Sequence, residues 1–340
     1  MALPNPALTH QKTQWVRLPA QTPQGFIDAV EAAVALLTGT DSNWTTTTPT
    51  GSTGTNPATV LIPPATSPIL TKFSAIIGVG SATLPAAAQC LDTDAVAADT
   101  PCCAFGGQYV AGVNWYDANP FGAAPVRNSL FAAKIAPAIT ATNVHSVFVI
   151  ASEETIFIGV QFDDDQGEYY GAWCGAIVEP PDLASAETGA VASGGERLYG
   201  MFTSGSSATV SLSANANVGM ISSGNNCFGL DHPNTGNGKG ALFDPRDDTA
   251  LIRMEMVRTW TTPTAIGMGK TLGGNPFFRA IYVALNASPY TTLGRARALC
   301  FYDRARMGEI IQDASDVDRG YIISGRLNVA CESLAFVNTE

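Results

Sequence analysis

The residues best suited to chemistry in this chain are few and scattered. Gly267-Met268-Gly269-Lys270-Thr271 reproduces the second half of a phosphate-binding loop, in which backbone amides and a lysine cradle phosphate oxygens. The full pattern needs a first glycine five residues before Gly269, where this chain has Thr264. It must also open a helix, which Gly273, Gly274 and Pro276 would break. The segment is therefore read as a loop between strands. Asp163, Asp164, Asp165 and Glu168 form an acidic cluster, and Asp163, Asp165 and Glu168 are candidate Ca2+ ligands, because a hard cation takes carboxylate oxygens. The glycine of a calcium loop comes one place early here, at Gly167, and no glutamate stands at the twelfth place. A solvated turn is the simpler reading, so no metal is assigned.

Other constellations are incomplete. His10, His145 and His232 lie far apart, and none has a metal-ligand pattern of His or Cys around it. The stretch Gly219-Met220-Ile221-Ser222-Ser223-Gly224 does not match the strained G-x-S-x-G turn that a serine hydrolase needs. Paired carboxylates for glycoside hydrolysis are defined by distance in space rather than by spacing in sequence. The expectation is a chain that is not an enzyme and carries no cofactor. Arg295, Arg297, Arg304 and Arg306 form two Arg-Ala-Arg units flanking a strand around Cys300. They are candidates for bidentate ion pairs with a neighbouring subunit or with acids of the same chain.

The elements that must position these residues are mostly strands. The single clear helix opens at Thr22 as cap with Pro23 at its first position, and Gly39 suits its stop. Phe26, Ile27, Val30, Val34 and Leu37 make one apolar stripe, to be buried on the chain's own β domain or on a neighbour. Residues 38–57 are rich in Thr, Gly and Pro and read as a solvated loop or an arm laid across another subunit. Strands are expected over 73–79, 109–113, 144–151, 155–162, 169–178, 209–212, 251–258, 277–285, 298–302, 321–324 and 334–338. The trio from 144 to 178 reads as a meander, with Ile156, Ile158, Val160 and Phe162 on the inward face. The overall expectation is a mainly β chain with antiparallel, sandwich-like domains and an N-terminal arm holding one short α-helix. Residues 1–58 would form the arm and linker, 59–180 a first β domain, and 181–340 a β-rich second half with long contact loops.

Composition narrows the function. Charged residues make up 14% of the 340, against roughly 25% in an ordinary soluble protein, and small polar residues replace them. A surface with few hydrated Lys and Glu side chains loses little when another subunit covers it. The net charge of −11 argues against nucleic acid as a partner, and no apolar run approaches the ~18 residues of a spanning helix. The opening MALPNPALTHQKTQW has no basic start followed by an apolar run, so synthesis and assembly in a cytoplasm are expected. The cysteines, at 90, 102, 103, 174, 227, 300 and 331, are best read as small buried hydrophobes, although Cys102 and Cys103 could join a disulfide outside a cell.

Several segments resemble virion structural proteins of tailed bacteriophages and prophages. They are Trp115-Tyr116-Asp117-Ala118-Asn119-Pro120-Phe121, the tandem strands over 144–162 with the aromatic strand after them, Asp318-Arg319-Gly320-Tyr321-Ile322-Ile323-Ser324-Gly325, and Leu334-Ala335-Phe336-Val337. The resemblance spans roughly residues 60–340 and implies a β-rich subunit of the tail, baseplate, neck or capsid surface. It carries over no catalytic residues. The partners it implies are copies of the chain and other virion proteins, with a host-surface glycan as a further possibility. Phe26, Val30, Trp44, Arg295, Arg297, Arg304 and Arg306 are the interface candidates. A receptor- or glycan-binding subunit would instead use exposed Trp44, Trp115 or Tyr169. A capsid decoration protein would bind heads in the absence of tails, and a glycan-cleaving enzyme would need a cleft with two facing acids.

Overall fold

The computed structural model describes residues 10–67, 70, 74–80, 88–90, 99–106, 109–112, 130–135, 138–139, 144–162, 169–178, 198–204, 216–222, 227–230, 242–243, 251–252, 254–257, 278–285, 291–305, 310–312, 319–324 and 331–337. Strands β1 (Gln11–Lys12) and β2 (Val16–Arg17) precede the helix α1 (Pro23–Val34). There follow β3 (Thr45–Thr47), β4 (Ala58–Ile62), β5 (Ser74–Gly80), β6 (Ala88–Cys90), β7 (Thr100–Gly106) and β8 (Leu130–Lys134). The long strands β9 (Val144–Ala151), β10 (Thr155–Phe162) and β11 (Tyr169–Val178) come next, then β12 (Leu198–Ser204), β13 (Ala216–Ser222) and β14 (Cys227–Leu230). The chain is mainly β, and its two principal sheets are antiparallel apart from one parallel pairing, β6 with β8.

Among the described residues, the smaller sheet has six strands in the order β3-β4-β5-β7-β8-β6. The larger has fourteen, with β1 and β2 paired to β9 and a ladder running β9-β10-β11-β12-β13-β14. At Ile177 and Val178, β11 also pairs with Thr291–Ala305, which leads to the C-terminal strands Cys331–Val337, Arg319–Ser324 and Ile310–Gln312. Strands from residues 11–17, 144–178, 198–230 and 254–337 thus share one sheet.

One apolar core joins the two sheets. Val147, Val149 and Ala151 of β9, Ile156, Ile158 and Val160 of β10, and Ala172 and Cys174 of β11 meet Leu61, Ala75, Ile77, Val79 and Cys103 of the smaller sheet. The stripe of α1 lies in the same cluster and packs on both β9 and β5. Alternation sends Val147 and Val149 of β9 and Ile156, Ile158 and Val160 of β10 to this face. The opposite face of β9–β11 is buried too. Phe148 has no exposed surface, and Phe157 and Trp173 are nearly as deep. Phe148 can lie flat there because Gly159 sits across from it in the ladder, with Gly171 beyond. A Cβ on Gly159 would fall 2.1 Å from Phe148 Cε1, and one on Gly171 would fall 2.4 Å from the Ile158 carbonyl oxygen.

The helix begins as its sequence indicates and stops sooner. Thr22 is extended and its hydroxyl accepts from the Gly25 amide, with Pro23 in the first turn. Regular helix ends at Val34 with Ala35 as cap, four residues before Gly39. Two tighter turns follow, Leu36 N to Ala33 O and Leu37 N to Val34 O, and they still bring Leu37 into the core. The next amides turn away from the helix to Gln11, whose Oε1 accepts from Thr38 N at 2.9 Å, Gly39 N at 3.0 Å and Ser42 Oγ at 2.8 Å. The Gln11 side chain of β1 thus fixes the chain just past the helix, and its Nε2 donates to the Leu36 carbonyl at 3.5 Å.

Three other expectations need correction. Residues 109–112 form no strand: Ala111 and Gly112 make a turn, with Gly112 at φ +90°, which only glycine adopts readily. Residues 45–47, expected within a loop, form the edge strand β3. The expected strand at 298–302 is the middle of a longer one, Thr291–Ala305. The strand expected at 209–212 lies outside the described residues.

Gly171→Ala is expected to destabilise the protein by about 1–3 kcal/mol in urea unfolding, because a backbone carbonyl cannot move aside as a side chain can. Gly54→Ala, where a Cβ meets nothing within 4 Å, is the control and should change stability by less than about 0.5 kcal/mol.

Candidate functional site

The most connected polar cluster surrounds the turn between β9 and β10, residues 152–155. Ser152 N donates to Thr155 O at 2.9 Å, and the two hydroxyls, Ser152 Oγ and Thr155 Oγ1, lie 2.9 Å apart. Three distant segments converge on this turn. Trp44 Nε1 donates to the Ser152 carbonyl at 2.7 Å, Ser67 Oγ donates to the Glu153 carbonyl, and His10 Nε2 lies 3.2 Å from Thr155 Oγ1. Serine, histidine and an acid, Glu154, therefore lie in one neighbourhood, the inventory of a hydrolytic triad. The geometry supports a different role. Ser152, Thr155 and His10 have no exposed surface, Glu154 has almost none, and the histidine meets the threonine hydroxyl rather than a nucleophilic serine. Sealed from solvent, the cluster can tie the hairpin to residues 10, 44 and 67 but cannot meet a substrate. Among the described residues, no group of three or more His, Cys, Asp or Glu could hold a metal ion.

A second cluster links the two sheets. Cys103 Sγ of β7 lies 3.5 Å from Cys174 Sγ of β11, and both side chains are buried. The thiol contact with Cys174 and burial both push the Cys103 thiol well above its ordinary range, the contact being the larger cause. Cys102, one residue earlier, points to the other face of β7, where its thiol lies 3.6 Å from the Thr100 carbonyl. The adjacent cysteines thus serve opposite faces, and the thiol facing Cys103 is that of Cys174.

On the outer face of β9, Lys12 Nζ lies 5.1 Å from the centroid of Phe148 and 6.0 Å from that of Trp15, and the two rings meet edge-on at 4.3 Å. Burial lowers the Lys12 pKa. Between β1 and β2, Thr13 keeps the ladder going: its amide donates to Val149 O and its hydroxyl accepts from Val149 N, each at 2.9 Å.

The remaining feature is a rim formed by residues 42–57, a stretch without a single charged side chain. Thr45, Thr47, Thr48, Thr50, Thr53 and Thr55 are solvent-exposed. The rim is held by hydrogen bonds within it and to its neighbours. Thr53 and Asn56 exchange amide-to-carbonyl bonds at 3.1 Å, Ser52 Oγ accepts from Ala58 N at 3.0 Å, and Thr50 N donates to Tyr109 Oη at 3.1 Å. This is fixed backbone rather than a loose linker.

The interface candidates separate accordingly. Phe26 and Val30 have no exposed surface and Trp44 is 1% exposed, so all three are occupied by the chain's own core and are corrected as contact residues. An exposed Trp44 is likewise removed from any glycan site. Their apolar bodies had read as contact surface because the core they fill comes mainly from residues 58–174, far away in sequence. Arg295, Arg297 and Arg304 all lie within the strand Thr291–Ala305, so the Arg-Ala-Arg units do not simply flank it. Arg295 is in register with Val178 on one side and Tyr282 on the other. Arg306, Trp115, the Ca2+ candidates Asp163, Asp165 and Glu168, and the Gly267–Thr271 loop lie outside the described residues. The Thr13 bridge, the Gln11 cap and the Cys103–Cys174 contact had no local signal in the sequence, since each joins residues at least 27 apart.

No protein-family model matches the chain, and no curated protein matches it in sequence.

Trp44→Phe keeps the ring in the core but leaves the Ser152 carbonyl without its indole donor. It should cost about 1–3 kcal/mol in chemical unfolding and leave the solution mass unchanged, because the ring does not reach the surface. The Cys103 thiol gives a pH dependence in reductant. The folded chain keeps this proton to higher pH than the unfolded chain, so stability is level below the ordinary thiol range and falls as pH rises through it. Urea midpoints between about pH 7 and about pH 10 should show that fall, and Cys103→Ala should flatten it.

Proposed function

We propose that this chain is a structural subunit of a bacteriophage particle, assembling as a homo-oligomer in the tail, baseplate or neck and covering low-charge surface against neighbouring copies. The observation that carries this reading is the ordered, charge-free rim at 42–57. Exposed sheet edges are usually guarded by lysine, proline or a bulge, because an open edge invites pairing. The edge strand β3 presents Thr45 and Thr47 instead, with Pro49 limiting how far a neighbour could extend the sheet. Hydroxyl-rich, already ordered backbone loses little entropy and desolvates no charge when covered. The low charge of the whole chain and the resemblance of residues 60–340 to virion structural proteins support the same reading. With Phe26, Val30 and Trp44 in the core, the contact surface of the N-terminal segment is its rim rather than its helix.

Symmetric closure would keep such a surface from open-ended association. Light scattering coupled to size exclusion should give one closed oligomer, a whole-number multiple of 35.4 kDa. Thr47→Lys with Thr55→Glu, two exposed positions on the rim, should lower that mass while the chain keeps its native far-UV circular dichroism. A monomer at high concentration, or an oligomer indifferent to rim charges, would count against the proposal.

A further inference from the structure

Two strands that never pair with each other, β7 and β11, bring one cysteine each to the centre of the core. Their sulphurs are 3.5 Å apart, in van der Waals contact, and about 1.5 Å of approach separates that contact from a disulfide bond of ~2.0 Å. The residues are 71 apart in sequence, so a bond between them would close a long loop and tie the smaller sheet to the larger. The contact is selective. Cys102 stands on the other face of β7, and the cross-strand neighbours of Cys227, Cys300 and Cys331 in the described ladders are not cysteines.

We propose that Cys103 and Cys174 form a built site for an inter-sheet disulfide, open in a reducing compartment and closed by a small disulfide oxidant such as oxidised glutathione. The chemistry is thiol–disulfide exchange. The thiolate of one cysteine attacks a glutathione sulphur, breaks the S–S bond and expels one glutathione thiolate. The second cysteine's thiolate then attacks the protein sulphur of that mixed disulfide and expels the other. Two thiol protons pass to the released thiolates, and two electrons move from the protein to the oxidant, leaving two reduced glutathiones. Because both thiols are buried, the reagent reaches them when β7 opens from the core. The reluctance of Cys103 to ionise slows the exchange further, so closure speeds up with rising pH and with mild denaturant. The chemistry does not depend on the proposed role. If the chain is a virion subunit, it would assemble unlinked in a cytoplasm and gain the link outside.

The test equilibrates the purified wild-type chain with oxidised glutathione in dilute urea, alkylates the remaining thiols and maps the peptides by mass spectrometry. The expected product is a single linked peptide joining Cys103 to Cys174. It should come with a rise in Tm on the order of 10 °C that reductant reverses. Cys102→Ser should retain both the link and the shift. Recovery of Cys103 and Cys174 as alkylated thiols at equilibrium would overturn the proposal, as would a link through Cys102 in place of Cys103. The mapping is read on the wild-type chain and so does not rely on a core variant folding.

Discussion

The hairpin of β9 and β10 must hide both of its faces, and most of the described structure follows from how it does so. Val147, Val149, Ile156, Ile158 and Val160 need an apolar partner on one side, while Phe148 and Phe157 need one on the other. A sheet that is apolar on both faces has to lie in the middle of a layered structure. The helix and the smaller sheet supply the first cover. The second is partly an aromatic layer laid on glycines, with Trp15 and Lys12 above Phe148. The turn of the hairpin then becomes a fixed point, gripped by Trp44, Ser67 and the neighbourhood of His10. Leu18, the stripe of α1, Leu37 and Trp44 therefore belong to the same core as the hairpin.

Legibility in the sequence followed locality. The strands 144–151, 155–162 and 169–178 were readable to the residue, because alternation and a short polar turn are local signals. The start of the helix was readable for the same reason, since Thr22 and Pro23 act on amides within one turn. Its end was not, because the turn after it is held by Gln11, which accepts from the Thr38 and Gly39 amides 27 and 28 residues away. Strand β7, Thr-Pro-Cys-Cys-Ala-Phe-Gly, has small residues and no clear alternation, so only its partners β5 and β8 define it. Strand β3 is three threonines with no apolar face and is held in the sheet by pairing with β4.

The site was less legible than the fold. An amphipathic stripe states that a helix must be covered but not by what, and Phe26 and Val30 turned out to be covered by the chain itself. Trp44 sits in a loop-like sequence of hydroxyl residues, yet its indole is a structural donor to a turn 108 residues away. Conversely, the exposed threonines around it read as loop, yet Thr45 and Thr47 pair with β4 and the Thr50 amide donates to Tyr109, 59 residues away. The sequence distinguishes Cys102 from Cys103 in nothing but parity along a strand, and that parity decides which thiol meets Cys174.

The helix and the central hairpin share a core and should open together. Hydrogen–deuterium exchange read by mass spectrometry tests it most directly. Amides of α1 and of β9 and β10 should lose protection together, in a single step that tracks global unfolding. Exchange through α1 well before the β9–β10 amides open would contradict the shared core.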